Sequence, residues 1–411
     1  LSLVGSEMCI RDRYKSNKNL EEQFSKTLYL HMLFNQIIGQ DHIKKHLQTS
    51  AENGRIPHAQ LFVGKEGCGT LPMAIAYAQF LLCNFSDDAD ACNIKCNKLQ
   101  HPDLHFAFPV TTNDSVKKHA VSDLFLGDWR EFLNSQSYGS LFNWLQHIGV
   151  ENKQGLIGVD EAEAVVKKLK LKSYEGGFKV MIIWMAEKMN IAAANKLLKL
   201  IEEPPEKTVF LLITENEEQI IGTIRSRCQA LHFPKLSEED IASALQVNHQ
   251  VSENEANKIA HQSEGNYNKA LQLLQNDSSD LVFEEWFVAW IRTAFKAKGN
   301  AAVIQQLISW SETIAKTGRE TQKQFLEYCL QFFRQALLLN YKSDQLVFME
   351  SKSGFNLSKF APFVHSGNIL DIEKEIGEAM YHIERNGNAK IILLDLSMKL
   401  TRFLHKKEDK I

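Results

Sequence analysis

Long apolar runs, a cysteine framework and an excess of charge are all missing from this sequence. No hydrophobic stretch approaches the roughly eighteen residues of a membrane helix, so the sequence predicts no transmembrane segment. Its seven cysteines form no framework like that of a small secreted domain, which favours a reducing, cytoplasmic setting. A net charge of -3 means that any contact with nucleic acid must come from a local patch.

The amino-terminal segment does not read as part of a folded domain. LVGSEMCIRDR (3–13) looks like a translated sequencing adapter, and it lacks the continuous apolar stretch of a signal peptide. We therefore predict that the native chain starts at Met32 and that residues 1–31 are a non-native, disordered segment.

From Met32 onward, short apolar runs alternate with helical segments. AQLFV (59–63), part of DLHFAFPV (103–110), VMIIW (180–184) and TVFLLIT (208–214) predict strands. Helices are predicted at 72–83, 160–171, with Asp160 as its cap, and 190–203, where Pro204 and Pro205 stop the helix. Strands with helices between them predict an α/β fold whose parallel sheet is covered on both faces.

The pattern changes near Pro234. Short helices follow, the first capped by Ser237, and from about residue 278 the chain reads as helical throughout. We predict a core over 32–235 with an insertion near 111–178, a small helical lid over 236–277, and an all-α domain over 278–411. Four tryptophans at helical spacing are predicted to be core or interface residues rather than bases for nucleotide stacking: Trp129, Trp144, Trp286 and Trp290.

The stretch GKEGCGTL (64–71) follows the first predicted strand and has the glycines of a phosphate-binding loop. Gly64, Gly67 and Gly69 fit a loop whose backbone N–H groups face a phosphate. Thr70 stands where that motif needs lysine, and Leu71 stands where it needs the hydroxyl that binds magnesium. The residues favour a tight strand-to-helix turn that has kept its form and lost its chemistry.

A second part of an ATPase site is also missing. A hydrolysing enzyme of this type ends a buried strand in an acidic pair that binds magnesium and positions water. In KVMIIWMAEKMN the corresponding positions hold Trp184 and Met185, and Glu187 lies beyond the strand, where we predict a solvated or capping role.

Several motifs occur in the order seen in bacterial clamp-loader subunits: FNQIIGQ, HAQLFVGKEGCGT, HPDLHFAFP, NKLLKLIEEPP, FLLITENEEQIIGTIRSRCQ and EGNYNKALQLL. Over about residues 33–275 the chain resembles the delta-prime family of DNA polymerase III clamp-loader subunits, of the type found in Bacteroidetes. The resemblance implies an AAA+ module with a RecA-like core, a helical lid and a helical collar that joins five subunits in a ring.

The resemblance also implies roles for individual residues. Arg227, in the motif Ser226-Arg227-Cys228, would act in trans as an arginine finger in a neighbour's ATP site, with Arg225 a lesser candidate. Asn268, followed by Lys269, replaces an arginine that senses nucleotide in ATP-using relatives. An internal or surface salt bridge is the competing interpretation of Arg227, and the family spacing favours the finger.

Metal and DNA contacts are less defined. The family often carries four cysteines as a closed zinc site, whereas this chain has Cys83, Cys92 and Cys96, with His101 as an alternative fourth ligand. We favour three reduced thiols in a loop without metal, leaving zinc open. Lys44, Lys45 and a lysine-rich stretch over 167–172 could contact DNA phosphates, and a solvated surface role is the alternative.

The sequence therefore predicts a cytoplasmic, non-catalytic subunit of the DNA polymerase III holoenzyme that requires no cofactor. Bound ATP is disfavoured, and passive binding of a nucleotide stays open. Its expected partners are the delta and gamma/tau subunits in a hetero-pentamer, primed DNA through its backbone and, indirectly, the sliding clamp, with no membrane. The alternatives are an ATP-binding gamma/tau-type subunit, a free-standing phosphotransferase, which fails on the same missing lysine and magnesium ligand, and a structural module in which Arg227 does not act.

Overall fold

The computed structural model describes residues 34–84, 86, 88–150, 153–175, 177–275, 279–298, 300–343, 347 and 353–407. The predicted start at Met32 and the segment 1–31 lie outside these residues. The chain divides into two compact units: the first holds the residues up to His147, Leu156–Val251 and Gly265–Asn268, and the second holds Ile148–Gly155, Ser252–Glu264 and the residues from Lys269 on. In the described residues, we find no helix with the length and apolar character needed to cross a bilayer.

A five-stranded sheet forms the centre of the first unit. Its strands are β1 (Ala59–Val63), β2 (Leu104–Ala107), β3 (Lys179–Ile183), β4 (Thr208–Thr214) and β5 (Gln229–His232). They are ordered β2-β3-β4-β1-β5, and all neighbouring pairs are parallel. The predicted parallel α/β core is confirmed. β5 was not predicted, because it is a four-residue edge strand whose side chains are mostly exposed.

Helices cover both faces of this sheet. Residues that alternate along the strands, such as Leu61, Met181 and Phe210, share a core with the helices α6 (Val159–Lys170) and α7 (Ile191–Glu202). The opposite face meets α2 (Thr70–Cys83), whose Tyr77 hydroxyl accepts a hydrogen bond from Gln60 of β1. The helices of the first unit are α1 (Asp41–Glu52), α2 (Thr70–Cys83), α3 (Ala89–Asn97), α4 (Leu126–Ser135), α5 (Leu141–His147), α6 (Val159–Lys170), α7 (Ile191–Glu202), α8 (Gly222–Arg225) and α9 (Glu238–His249).

Two predicted helix caps have different outcomes. Ser237 caps α9 as predicted, since its hydroxyl accepts a hydrogen bond of 3.0 Å from the backbone N–H of Asp240. Asp160 does not cap α6. That helix begins one residue earlier, at Val159, with Gly158 at its cap, and Asp160 lies in the first turn, where its charge still favours the helix dipole.

The second unit is helical and has a core of its own. Its helices are α10 (Glu253–Ser263), α11 (Tyr267–Leu274, whose first residues lie in the first unit), α12 (Ser279–Lys296), α13 (Ala301–Ala315), α14 (Arg319–Asn340), α15 (Leu357–Phe360), α16 (Ile369–Glu384) and α17 (Ala389–Phe403). That core combines aliphatic and aromatic residues, and Trp290 is fully buried in it with Trp286 packed against it. The predicted core role of the tryptophans is confirmed. The boundaries chosen for core, lid and collar remain predictions.

Candidate functional site

The glycine loop lies where β1 ends and α2 begins. Gly69 occupies the cap position of α2 with a φ of 95°, and Gly67 has a φ of 71°. Both values belong to the left-handed region, which glycine adopts without the steric cost that a Cβ brings. A Cβ on Gly67 would also come within 1.9 Å of Oδ1 of Asn266. The loop thus keeps the backbone form of a phosphate cradle at a helix amino terminus.

The positions that would bind magnesium in a phosphate-binding site hold apolar residues here. Leu71, in the place of the magnesium-binding hydroxyl, is buried. Trp184 and Met185, in the places of the acidic pair, are also buried and line the same crevice as the loop. Trp184 belongs to an aromatic cluster in which its ring lies 5.1 Å from that of Trp129. The residues that stand at the metal-binding positions are therefore packing residues.

Tyr138, between α4 and α5, closes one side of the crevice. Its hydroxyl accepts a hydrogen bond of 3.0 Å from the backbone N–H of Ile38, and its ring lies against Gly69 and edge-on to Tyr267. Burial raises the pKa of the Tyr138 hydroxyl. No motif in the sequence singled out this tyrosine, because its position depends on how the inserted segment packs.

Asn268 holds the loop from the other side. Its Nδ2 donates 2.8 Å hydrogen bonds to the Glu66 carboxylate and to Oδ1 of Asn143, and Asn266 makes a further contact of 3.3 Å with Glu66. The adjacent Lys269 belongs to the second unit, where its Nζ donates to Gln331 at 3.1 Å. The negative charge of Glu66 repels phosphate. An acidic residue inside the loop is therefore a signal against phosphate binding that the sequence already contains.

Gln40 fixes the loop to the end of the sheet. Its side-chain amide donates to the backbone carbonyls of Cys68, at 3.1 Å, and Pro234, at 2.7 Å. Cys68 itself is buried, which raises the pKa of its thiol to about 12. The thiol is therefore protonated at neutral pH and is a packing group rather than a nucleophile.

The predicted solvated role of Glu187 is wrong. Its carboxylate is enclosed beyond the end of β3, where one oxygen accepts a hydrogen bond of 3.1 Å from the backbone N–H of Glu215. The other oxygen is buried without a hydrogen-bond partner. Burial raises the pKa of this carboxyl despite the hydrogen bonds that act against the shift.

Arg227 lies just after α8 and is 38% exposed in its side chain. Its Nη1 donates 2.8 Å to the carbonyl oxygen of Thr223, and its Nη2 lies 2.5 Å from the Glu202 carboxylate. Ser226 is exposed beside it, and Cys228 is half-buried with the pKa of its thiol raised to about 11 by burial. The surface salt bridge that competed with the finger interpretation is present in this structure.

The sheet separates Arg227 from the glycine loop. Gln229, at the start of β5, pairs with Gln60, at the start of β1, whereas Gly64 follows the last residue of β1. Strands rise about 3.3 Å per residue, so these two ends of the sheet lie about 13 Å apart. Arg227 stands at the amino edge and the loop at the carboxyl edge. The arginine therefore cannot serve the loop of its own chain.

The cysteine group differs from its prediction. Cys83 and Cys92 form a disulfide, with Cys96 Sγ 3.6 Å from Cys83 Sγ, and the three lie at the end of α2 and on α3 rather than in a loop. The expectation of three reduced thiols in a loop is wrong for this structure. Burial raises the pKa of the Cys96 thiol to about 12.

His101 lies beside this group but is committed to other contacts. The backbone N–H of Asp103 donates to its Nδ1 at 3.2 Å, so a neutral ring carries its proton on Nε2, which faces Glu175 at 3.1 Å. The ligand atoms of Cys83, Cys92 and Cys96 lie within 4.8 Å of one another, as do those of Cys92, His101 and Glu175, so either group could hold a metal ion in place of the disulfide.

The comparisons with known proteins agree with the motifs. Residues 39–237 match the family model described as DNA polymerase III, delta subunit. DNA polymerase III subunit delta' of Bacillus subtilis is 31% identical over 243 residues, which are 58% of this chain and 60% of that protein. Subunit tau of the same organism is 28% identical over 246 residues, 59% of this chain and 37% of the relative. The chain thus spans less than two thirds of the length of these relatives.

Solved structures show more distant likeness. The RuvB Holliday junction branch migration motor of Thermotoga maritima aligns over 78% of this chain and 85% of its own, with 14% identity and a TM-score of 0.38. The five parallel strands and the glycine loop between β1 and α2 give the first unit a parallel α/β fold with the layout of a phosphate-binding loop. Over residues 39–237 the chain matches the DNA polymerase III delta-subunit model, and it is similar to the clamp-loader subunits delta' and tau of that polymerase.

Proposed function

We propose that this chain is a delta-prime-type subunit of a DNA polymerase III clamp loader, which hydrolyses no ATP itself and completes the ATP site of a neighbouring subunit with Arg227. The observation that carries the proposal is the position of Arg227 at the sheet edge opposite the glycine loop, half-exposed and held by two contacts. The proposal rests on two arguments, one about the loop and one about the arginine.

Besides its backbone N–H groups, the loop offers a nucleotide only the exposed Lys65, which directly follows Gly64 and does not stand at the lysine position of the motif. It carries Thr70 in place of the lysine that contacts the outer phosphates, and its Glu66 adds negative charge at the same site. Trp184 and Met185 offer no carboxylate to hold magnesium. Binding of ATP would also have to compete with the packing of Tyr138 against Gly69. These features support a chain that neither binds nor turns over ATP.

Arg227 has the properties that an arginine finger needs. A guanidinium remains charged at any physiological pH, and its planar fork matches the oxygens of a transferring phosphoryl group. The short helix α8 and the start of β5 fix the backbone on both sides of Arg227, so little conformational entropy is lost when it meets a phosphate. Because its own loop is out of reach, the phosphate must belong to another subunit.

The assembly follows from the family. We propose a cytoplasmic hetero-pentamer with delta and gamma/tau subunits, in which the helical second unit forms the collar contacts. Primed DNA would be held through its phosphates, which gives sequence-independent and salt-sensitive binding. Lys45 is an exposed candidate, whereas Lys44 and Lys168 are already paired with Asp41 and Asp123. The sliding clamp would be an indirect partner.

A gamma/tau-type subunit that binds ATP is the second candidate, because subunit tau of Bacillus subtilis is also similar to this chain. Titration of the full chain with a fluorescent ATP analogue and magnesium separates the two. If the chain is the delta-prime-type subunit that hydrolyses no ATP, we expect no saturable binding up to millimolar nucleotide and no hydrolysis. Binding with turnover would establish the second candidate instead.

The finger is tested in a reconstituted clamp loader whose other ATP sites are disabled, so that only the site facing Arg227 turns over. Arg227→Ala is expected to lower primed-DNA-dependent hydrolysis at that site by on the order of a thousandfold, the usual contribution of such an arginine. Assembly of the complex should not change, because the side chain is exposed. Arg225→Ala tests the lesser candidate, and Arg55→Ala, at another exposed position of the first unit, is the matched control. Hydrolysis at the wild-type rate with Arg227→Ala would refute the finger.

A further inference from the structure

Glu202 and Arg227 form a contact between two elements of the first unit. The sequence motifs did not predict this contact. Glu202 is the last residue of α7, and Arg227 follows α8. The Arg227 Nη2 lies 2.5 Å from Oε1 of Glu202, and both side chains are a little over one third exposed. Both residues stand near the amino edge of the sheet, since the chain passes from Glu202 into β4 and from Arg227 into β5.

The guanidinium is fixed at two points. Thr223 accepts from Nη1 at 2.8 Å, and Glu202 accepts from Nη2, so the plane of the group is defined by one backbone atom and one carboxylate. A single backbone contact would leave the group free to rotate about its bond to Thr223. The carboxylate therefore supplies the second point that sets its direction.

The two contacts leave donors for an anion. A guanidinium has five N–H groups. Thr223 and Glu202 take two of them, and the contact with Ser226 Oγ at 3.4 Å takes at most one more. At least two N–H groups therefore remain, which is the number that a bidentate contact with phosphate oxygens requires. Arg227 can thus reach a phosphate while Glu202 still holds it.

We infer that Glu202 is a positioning residue, which orients the guanidinium of Arg227 toward the phosphates of ATP bound to the neighbouring subunit. This inference rests on the proposed function. Glu202 itself touches no nucleotide, and its effect is transmitted only through Arg227. Orientation contributes to the transition state, where charge develops on the transferred group, more than to the binding of ATP.

The experiment measures kcat and KM for ATP in the same reconstituted complex, with a single active site facing Arg227. Glu202→Gln keeps the size of the side chain and removes its charge, and it is expected to lower kcat roughly two- to fivefold with KM unchanged, the range of an exposed ion pair. Glu203→Gln is the matched control, because Glu203 is the adjacent residue, is also exposed and has the same side chain. It should leave both parameters at their wild-type values.

A double variant decides whether the effect passes through the arginine. Combined with Arg227→Ala, Glu202→Gln should cause no further loss, because the residue it orients is gone. An equal loss in both backgrounds would overturn the inference, as would a kcat for Glu202→Gln at or above that of the wild type while Arg227→Ala is impaired. These two outcomes would leave the proposed role of Arg227 as an arginine finger unaffected. Full activity of Arg227→Ala would instead refute the proposed function and the inference with it.

Discussion

Asn268 and Glu66 are joined by a hydrogen bond of 2.8 Å between residues 202 positions apart in the chain. The amide of Asn268 uses its second N–H on Asn143, so both of its hydrogens are engaged in a buried position. Asn268, to which the resemblance assigns the place of a nucleotide-sensing arginine, thus binds the loop of its own chain. The carboxylate that it binds occupies space near the phosphate cradle.

Replacing this amide with a carboxylate should destabilise the first unit. In Asn268→Asp two carboxylates would face each other at hydrogen-bond distance, and both donors of Asn268 would be lost. We expect a loss of about 2–3 kcal/mol in the free energy of unfolding at pH 7, measured by urea denaturation. Like-charge repulsion raises the folded-state pKa values of such a pair, so the loss should shrink as the pH falls through them.

Two further variants separate charge from contact. Asn134→Asp adds the same charge at an exposed position of α4 and should change the free energy of unfolding by less than about 0.5 kcal/mol. Asn268→Ala removes the contacts without adding charge, so its loss should vary with pH much less than that of Asn268→Asp. A pH-independent loss in Asn268→Asp would contradict the like-charge account.

Gly67 should tolerate a side chain much less well than Gly54. Both have a φ near +70°, so alanine at either position carries the same backbone cost of about 1–2 kcal/mol. A Cβ on Gly54 meets no atom within 4 Å, whereas one on Gly67 meets Asn266 at 1.9 Å and the backbone N of Tyr267 at 2.9 Å. We therefore expect Gly67→Ala to unfold at a clearly lower temperature than Gly54→Ala in a thermal unfolding measurement.

Because the backbone cost is the same at both positions, the difference in unfolding temperature between the two variants reports the close contact of the Asn266 segment with the loop. If both alanine variants unfold at the same temperature, the loop and that segment are not in contact in solution. The contact that holds Glu66 would then be absent as well.

Glu187 should make the first unit less stable as the pH rises. Burial raises the pKa of its carboxyl in the folded state, so the folded chain binds more protons than the unfolded chain between the unfolded and folded pKa values. Wild-type stability consequently decreases as the pH rises through this window. Glu187→Gln does not titrate, so we expect its stability relative to wild type to increase as the pH rises through the same window.

The measurement is a set of urea denaturation curves from about pH 4, near the ordinary pKa of a glutamate, to pH 8. Glu218→Gln, an exposed carboxylate nearby, should show no pH-dependent difference from wild type. A constant difference for Glu187→Gln across this range would show that its carboxyl titrates normally in the folded chain.

The sequence alone determined the positions of the main strands and the loss of the residues that an ATPase site requires. Apolar runs bounded by polar residues located β1, β3 and β4 nearly to the residue, because a buried strand requires a continuous apolar segment. The glycines of the loop and the replacements at Thr70, Leu71, Trp184 and Met185 were readable because they depend only on which residue stands at which spacing. The order of motifs then placed Arg227 in its family context.

Only the tertiary structure decided which side chains meet. The contacts of Tyr138 with Ile38, of Glu66 with Asn268 and of Arg227 with Glu202 join residues from 25 to 202 positions apart. The burial of Glu187 likewise depends on the strand beside it, where Glu215 supplies the N–H. Local periodicity specifies an element and its apolar face, but it does not encode which polar groups face each other once elements pack. That pairing is set by the sheet order and by the insertion that covers it.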